Sequence, residues 1–233
     1  MKLFKSNHKY FQTQNCNSVI DTPCGKIVFE LKIDDYNFSN TNSNADCLKL
    51  SNGGTLFSYN DNKFIAELVI CEPTYTIPKH MNVEKVFAGV WRIKPLVSNL
   101  KCIFETKLIP KNLIDLVSGP NSGEGVDAIT FDYVDNRMTL GTEDGLTLIN
   151  RSIEKSLMGN RFSPLNREFS DNIIQYIDDY TGLSVPLTSL DENEVSQIHF
   201  VVAWNKVSDE FDSSTWFAVD MTTNSILTKE GLI

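Results

Sequence analysis

Histidine is scarce in this chain: there are three in 233 residues, His8, His80 and His199, and they stand far apart. No cysteine pair has the two-to-four-residue spacing of a zinc site and no His-Glu-x-x-His occurs, so neither a metal nor any other cofactor is expected. The glycine-containing stretch "SGPNSGEG", Ser118–Gly125, has no lysine to hold a phosphate, and there is no Gly-x-Ser-x-Gly elbow to present a nucleophilic serine. No apolar run approaches the ~18 uninterrupted residues of a membrane helix, and "MKLFKSNHKYFQTQNCNS" at the start holds no apolar stretch of signal-peptide length. A cytoplasmic protein with no membrane partner is the expectation. Its cysteines, Cys16, Cys24, Cys47, Cys71 and Cys102, are odd in number, widely spaced and confined to the first half, which suits reduced thiols better than a disulfide framework.

Positive charge is almost missing from one segment. Between Glu168 and Asp220 there are 11 acidic residues and a single base, Lys206, for a net charge of −10. Residues 1–167 carry 19 Lys+Arg against 18 Asp+Glu, and Lys229 cancels Glu230, so the whole acidity of the protein, net −9, belongs to 53 residues. Nucleic acid as a ligand is disfavoured, because phosphate binding needs clustered Lys/Arg. A basic protein partner is what such a surface attracts.

What is present reads as a folded, strand-rich chain: 41% of residues are apolar and three are tryptophan. "GKIVFELKI", Gly25–Ile33, alternates Ile27, Phe29, Leu31 and Ile33 on one face, as a half-buried strand does. The Asn/Ser-rich "DDYNFSNTNSNAD" after it is expected as a loop. "KFIAELVICE", "KVFAGVWRIK" and "NLKCIFETKLI" follow as strands, and Lys111–Val117 as a short helix ending before Gly119-Pro120. A three-strand meander is expected over about 126–149, turning at Asp135-Asn136 and again at Asp144-Gly145. A helix is expected over about 170–181. Ser170 would cap it, Ile173, Ile174, Ile177 and Tyr180 would face inward, and Gly182 would end it. "QIHFVVAW" and "TWFAVDM" are expected as closing strands. The fold class that results is α+β, predominantly antiparallel β-sheet with one helix and a meander. It divides into a β-rich part, 1–118, and an acidic α+β part, 119–233, or forms one continuous domain.

Catalytic candidates are few. Asp132 and Asp135 flank the first turn of the meander, but the Asp-Thr/Ser-Gly turn that lets two aspartates share a proton is missing; the nearest text is Asp21-Thr22-Pro23. Cys71 with His80 would be of interest only if the thiol were exposed and acidic. No catalytic residue is therefore expected. The reading these residues favour is a protein-binding module, an acidic inhibitor or immunity-type protein that neutralises a basic, nuclease-like toxin or enzyme by occluding its site. The partner-binding residues would be Asp178, Asp179, Asp209, Glu210 and Asp212, with Trp204 and Trp216 as aromatic anchors beside the acid. The alternatives are a hydrolase of unrecognised family and a structural or assembly protein of viral or phage type.

Overall fold

The structure, a computed structural model, describes residues 3–4, 10–13, 18–41, 45–153, 173–207, 209 and 211–232. In chain order the strands are β1 (Tyr10–Thr13), β2 (Ile20–Asp21), β3 (Gly25–Ile33), β4 (Tyr36–Ser39), β5 (Asp46–Leu50), β6 (Thr55–Asn60), β7 (Phe64–Cys71), β8 (Lys85–Pro95), β9 (Leu100–Pro110), β10 (Leu116–Pro120), β11 (Val126–Tyr133) and β12 (Asn136–Glu143). After helix α1 (Gly145–Ile153) come β13 (Gln175–Ile177), β14 (Gly182–Leu190), β15 (Ser196–Lys206) and two helices, α2 (Ser214–Val219) and α3 (Thr223–Lys229). Among the described residues these strands build two antiparallel sheets. Nine strands run in the order β1, β5, β6, β7, β8, β15, β12, β11, β10, and six form the second sheet, β13, β14, β9, β3, β2, with β4 also paired to β3. Each sheet draws strands from both sides of residue 118. The fold is mainly β, with short helices, rather than an even mixture of the two.

One apolar cluster holds the sheets face to face, joining Ile27, Phe29, Leu31 and Phe104 of the smaller sheet to Trp91, Phe131, Met138 and Phe200 of the larger. Phe29 stacks on Phe200 with ring centroids 6.5 Å apart. Gly89 makes that contact possible, since a Cβ there would lie 2.8 Å from the Phe29 ring. Truncating Phe29 to alanine would remove the centre of this layer at a cost of about 3–5 kcal/mol. A second cluster lies on the outer face of the nine-stranded sheet, where Val69, Val90, Val201 and Ala203 are covered by Ala218 and Val219 of α2, by Ile226 and Leu227 of α3, and by Phe4.

Strands β3, β7, β8, β9, β11, β12 and β15 lie where their alternation places them. Five other expectations fail. The helix over 170–181 is instead a hairpin across its described part: Gln175–Ile177 pairs with Gly182–Ser184, turning through Asp178–Tyr180 with Asp179 and Tyr180 at positive φ. Gly182 is not a helix cap. It lets β14 lie against β9, where a Cβ would meet the Thr106 carbonyl oxygen at 2.2 Å. Ser170 to Asn172 lie outside the described residues.

The meander exists, but its third member is β10 on the far side of β11, not the stretch after Asp144. Asp144 caps α1 instead, its Oδ1 accepting from the Thr147 N–H at 2.7 Å, so Asp144-Gly145 starts a helix rather than a hairpin. Lys111–Val117 is a turn leading into β10, and "TWFAVDM" is mostly α2, whose Thr215, Ala218 and Val219 face the sheet at helical spacing. The loop after β3 contains β4.

The cysteines also depart from expectation. Cys24, Cys71 and Cys102 are free and buried, whereas Cys47 is disulfide-bonded. With Cys47 in a disulfide, the cysteines do not indicate a reducing compartment. No helix among the described residues is long and apolar enough to cross a membrane.

Candidate functional site

Strand β10 ends the nine-stranded sheet, and beside it lies a groove of about 420 Å³, a size that suits a small ligand or a side-chain cluster of a partner. Val117, Asn121, Asp132, Arg137, Phe211 and Trp216 are among the residues that line it. The antiparallel register sets its floor. Val117 stands opposite Asp132, and Asp132 opposite Arg137, so the three share one face of the sheet.

Arg137 organises the polar side. Its Nε donates to Asp132 Oδ1 at 2.8 Å and its Nη2 to Asp132 Oδ2 at 3.2 Å, the two-pronged geometry that guanidinium and carboxylate favour. Nη1 reaches the other way and donates to the Asp212 carbonyl oxygen at 2.8 Å. The hydrogen-bonded Asp132 carboxylate raises the Arg137 pKa further, and the nearby Asp212 and Asp209 charges add to it. Because Asp132 is half exposed, this ion pair adds no more than about 1 kcal/mol to stability. Its consequence is positional, since it fixes the loop before α2 against the sheet.

That loop folds on its own aspartates. Asp209 Oδ1 accepts from the Phe211 N–H at 2.8 Å, and Asp212 Oδ1 accepts from the Ser214 N–H at 2.9 Å and from its hydroxyl at 2.6 Å. With both flanking carboxylates tied to backbone, Phe211 projects into solvent, 84% exposed. Trp216 on α2 forms the opposite wall. Its indole N–H donates to the Asn121 carbonyl oxygen at 2.8 Å, and its ring lies over Gly123, where a Cβ would come within 2.6 Å. Thr215, bonded to Thr139 on β12 at 2.8 Å, pins the helix beneath.

Of the residues read from the sequence, Asp212 and Trp216 line this groove and Asp209 stands at its mouth, while Glu210 lies outside the described residues. Asp178 and Asp179 are exposed on the other flank of β10. Ser118, whose strand partner Phe131 belongs to the inter-sheet core, donates its hydroxyl to the Asp179 carbonyl oxygen at 3.0 Å. The two acidic segments thus border the same edge strand from opposite faces. Trp204 is not with them: it is 7% exposed and stacks on Phe87 at 5.8 Å between the sheets.

Phe211, Arg137 and Val117 escaped the sequence reading. A signal for Phe211 was present, a lone aromatic inside "SDEFDSS" with no apolar neighbour to pack against. The thiol candidate does not hold up, since Cys71 is buried and burial pushes its pKa upward, while His80 is exposed.

No family model matches the chain, and no curated protein matches it. Thirteen chains among solved structures do. One is a protein assigned as a kojibiose phosphorylase from the human microbiome, 9% identical with a TM-score of 0.49; the match covers 95% of this chain and 30% of that one. This chain thus spans less than a third of that protein's length. A likeness so slight carries neither fold nor activity across.

Proposed function

We propose that this protein is a protein-binding module that docks a basic partner along the β10 edge, with Phe211 and Trp216 as anchors and Asp209, Asp212, Asp178 and Asp179 as the charged surround. The observation that supports it best is Phe211, held 84% exposed between two aspartates at the mouth of the groove. A large apolar side chain costs solubility when left in water, and in a loop the backbone hydrogen bonds of Asp209 and Asp212 keep it there rather than letting it fold inward. An aromatic at the centre of complementary charge is the arrangement in which interface energy concentrates. Among the described residues β10 is the last strand of its sheet, and such an edge offers backbone donors and acceptors to an extended segment of the partner.

The immunity-type inhibitor is the form of this proposal in which the partner's basic surface is its own active-site groove, so that docking and occlusion are one event. The test is capture in the native cell with a photo-crosslinking amino acid at position 211, followed by identification of the adduct. A partner with a basic docking surface supports the reading, and its enzymatic inhibition by this protein supports the inhibitor form. Crosslinks only to acidic or unrelated abundant proteins, or none at all, count against it.

A further inference from the structure

On the outer face of the nine-stranded sheet, away from the β10 edge, Glu67, Arg92 and Gln197 stand side by side on β7, β8 and β15. All three are buried, at 1%, 7% and 0% exposure. Charged residues this deep in a sheet are costly unless every lone pair and N–H is satisfied. Here a backbone from elsewhere in the chain supplies several of those partners. The N–H groups of Leu3 and Phe4 both donate to Glu67 Oε2, at 2.8 and 2.7 Å, and Arg92 Nη1 donates to the Leu3 carbonyl oxygen at 2.9 Å. Arg92 Nε donates to Gln197 Oε1, which fixes the guanidinium plane, and its central carbon sits 4.4 Å from the centre of the Phe4 ring. Phe4 itself is 1% exposed, in the apolar cluster with Val69 and Val90. Burial pulls Arg92 down to about 10 against the opposing pull of Glu67, so the guanidinium remains charged at neutral pH.

Two successive N–H groups turned onto one oxygen, one carbonyl and one aromatic ring are what a receptor reads in a short bent peptide; apart from the ring, nothing in the set depends on side-chain identity. We infer that Glu67, Arg92 and Gln197 form a peptide-binding site for a short bent segment carrying a phenylalanine, occupied in cis by Leu3–Phe4, and able to take the same segment in trans from a second molecule. Glu67 aligns the two amides, Arg92 holds the carbonyl and faces the ring, and Gln197 orients Arg92. The tethered segment has a local concentration in the millimolar range, which keeps the site filled in the single molecule.

The test uses the full chain with Phe4→Ala and a fluorescent peptide of residues 1–6, Met-Lys-Leu-Phe-Lys-Ser. The variant should bind the peptide saturably and at least about tenfold more tightly than the wild type, whose site the tether fills. The peptide with its own phenylalanine replaced by alanine should bind at least about tenfold more weakly to the same variant. Adding Glu67→Gln to Phe4→Ala should likewise lose at least tenfold, because one carboxylate oxygen receives both amides. Absence of peptide binding by folded Phe4→Ala protein, or binding indifferent to Glu67→Gln, overturns the inference. Should Phe4→Ala protein not fold alone, the peptide added during refolding must restore its native near-UV circular dichroism, and failure to do so overturns it equally.

Discussion

Arg137 joins Asp132 across the β11–β12 pair by two hydrogen bonds and spends its remaining nitrogen on the main-chain carbonyl of Asp212, 75 positions along the chain. One guanidinium thus decides where the Phe211 loop rests. Replacing Arg137 with leucine should leave the sheets intact and release that loop. Amide exchange at Phe211 and Ser214 should rise by about tenfold or more, with global stability falling by only about 1 kcal/mol. Unchanged exchange in the loop would mean that its own aspartate turns suffice to place it.

Gly123 lies directly beneath Trp216, and Gly123→Ala puts a methyl group into the indole ring. The ring must move. Tryptophan emission should shift red as Trp216 becomes more exposed, the shift should vanish in a Trp216→Phe background, and stability should drop by about 1–3 kcal/mol. Trp91 and Trp204 are buried, so they contribute no comparable change. An unshifted spectrum would show the groove wall to be less rigidly packed than the contact implies.

The cysteines divide into two kinds. Under denaturing, non-reducing conditions, alkylation should reach Cys24, Cys71 and Cys102 and should not reach Cys47, which becomes reactive only after reduction. In the native protein the three free thiols should resist alkylation as well. Burial raises all three, with Cys24 pushed up to about 12, so little thiolate is present near neutrality. Alkylation of Cys47 without reductant would contradict the structure.

Glu105, on the outer face of the smaller sheet, bonds Lys107 at 2.7 Å and Lys32 at 2.8 Å. Burial works to raise its pKa, but hydrogen bonds and charge from the two lysines outweigh it and the net shift is downward. A carboxylate held below its unfolded value contributes stability above roughly pH 4.5, and the contribution is lost as pH falls through the folded pKa. Glu105→Gln should therefore cost about 1 kcal/mol at pH 7 and close to nothing at pH 2–3, measured by denaturant unfolding at each pH. A pH-independent difference would assign the loss to packing instead.

The strands were legible because β-branched and aromatic residues alternate along β3, β7, β8, β9 and β15, a pattern that follows from the geometry of a strand alone. Their division between two sheets was not, since β3 pairs with β9 and β8 with β15 across long stretches of chain that local patterning does not reach. Residues 170–181 misled because Ile173, Ile174, Ile177 and Tyr180 have helical spacing, while the decisive constraint, the approach of Gly182 to the Thr106 carbonyl, comes from a residue 76 positions earlier. The short run in α2 fits a strand or a helix equally well until it is laid on the sheet. At the site, Asp209, Asp212 and Trp216 could be named because acid and aromatic sit together in the sequence. Arg137 and Val117 could not, because only the β10–β11–β12 register brings them to the groove.

Association kinetics with the captured partner probe the docking of a basic partner at the Phe211 groove. Three proteins should be compared across ionic strengths from about 0.05 to 1 M: wild type, Phe211→Ala, and the double variant Asp209→Asn with Asp212→Asn, whose amides retain the local turns. Phe211→Ala should raise the dissociation rate at least tenfold at every salt concentration, while the double variant should slow association severalfold at low salt and match wild type at 1 M. Identical rates for all three proteins at every ionic strength would contradict it, and would leave the acidic segment as a solvated surface only.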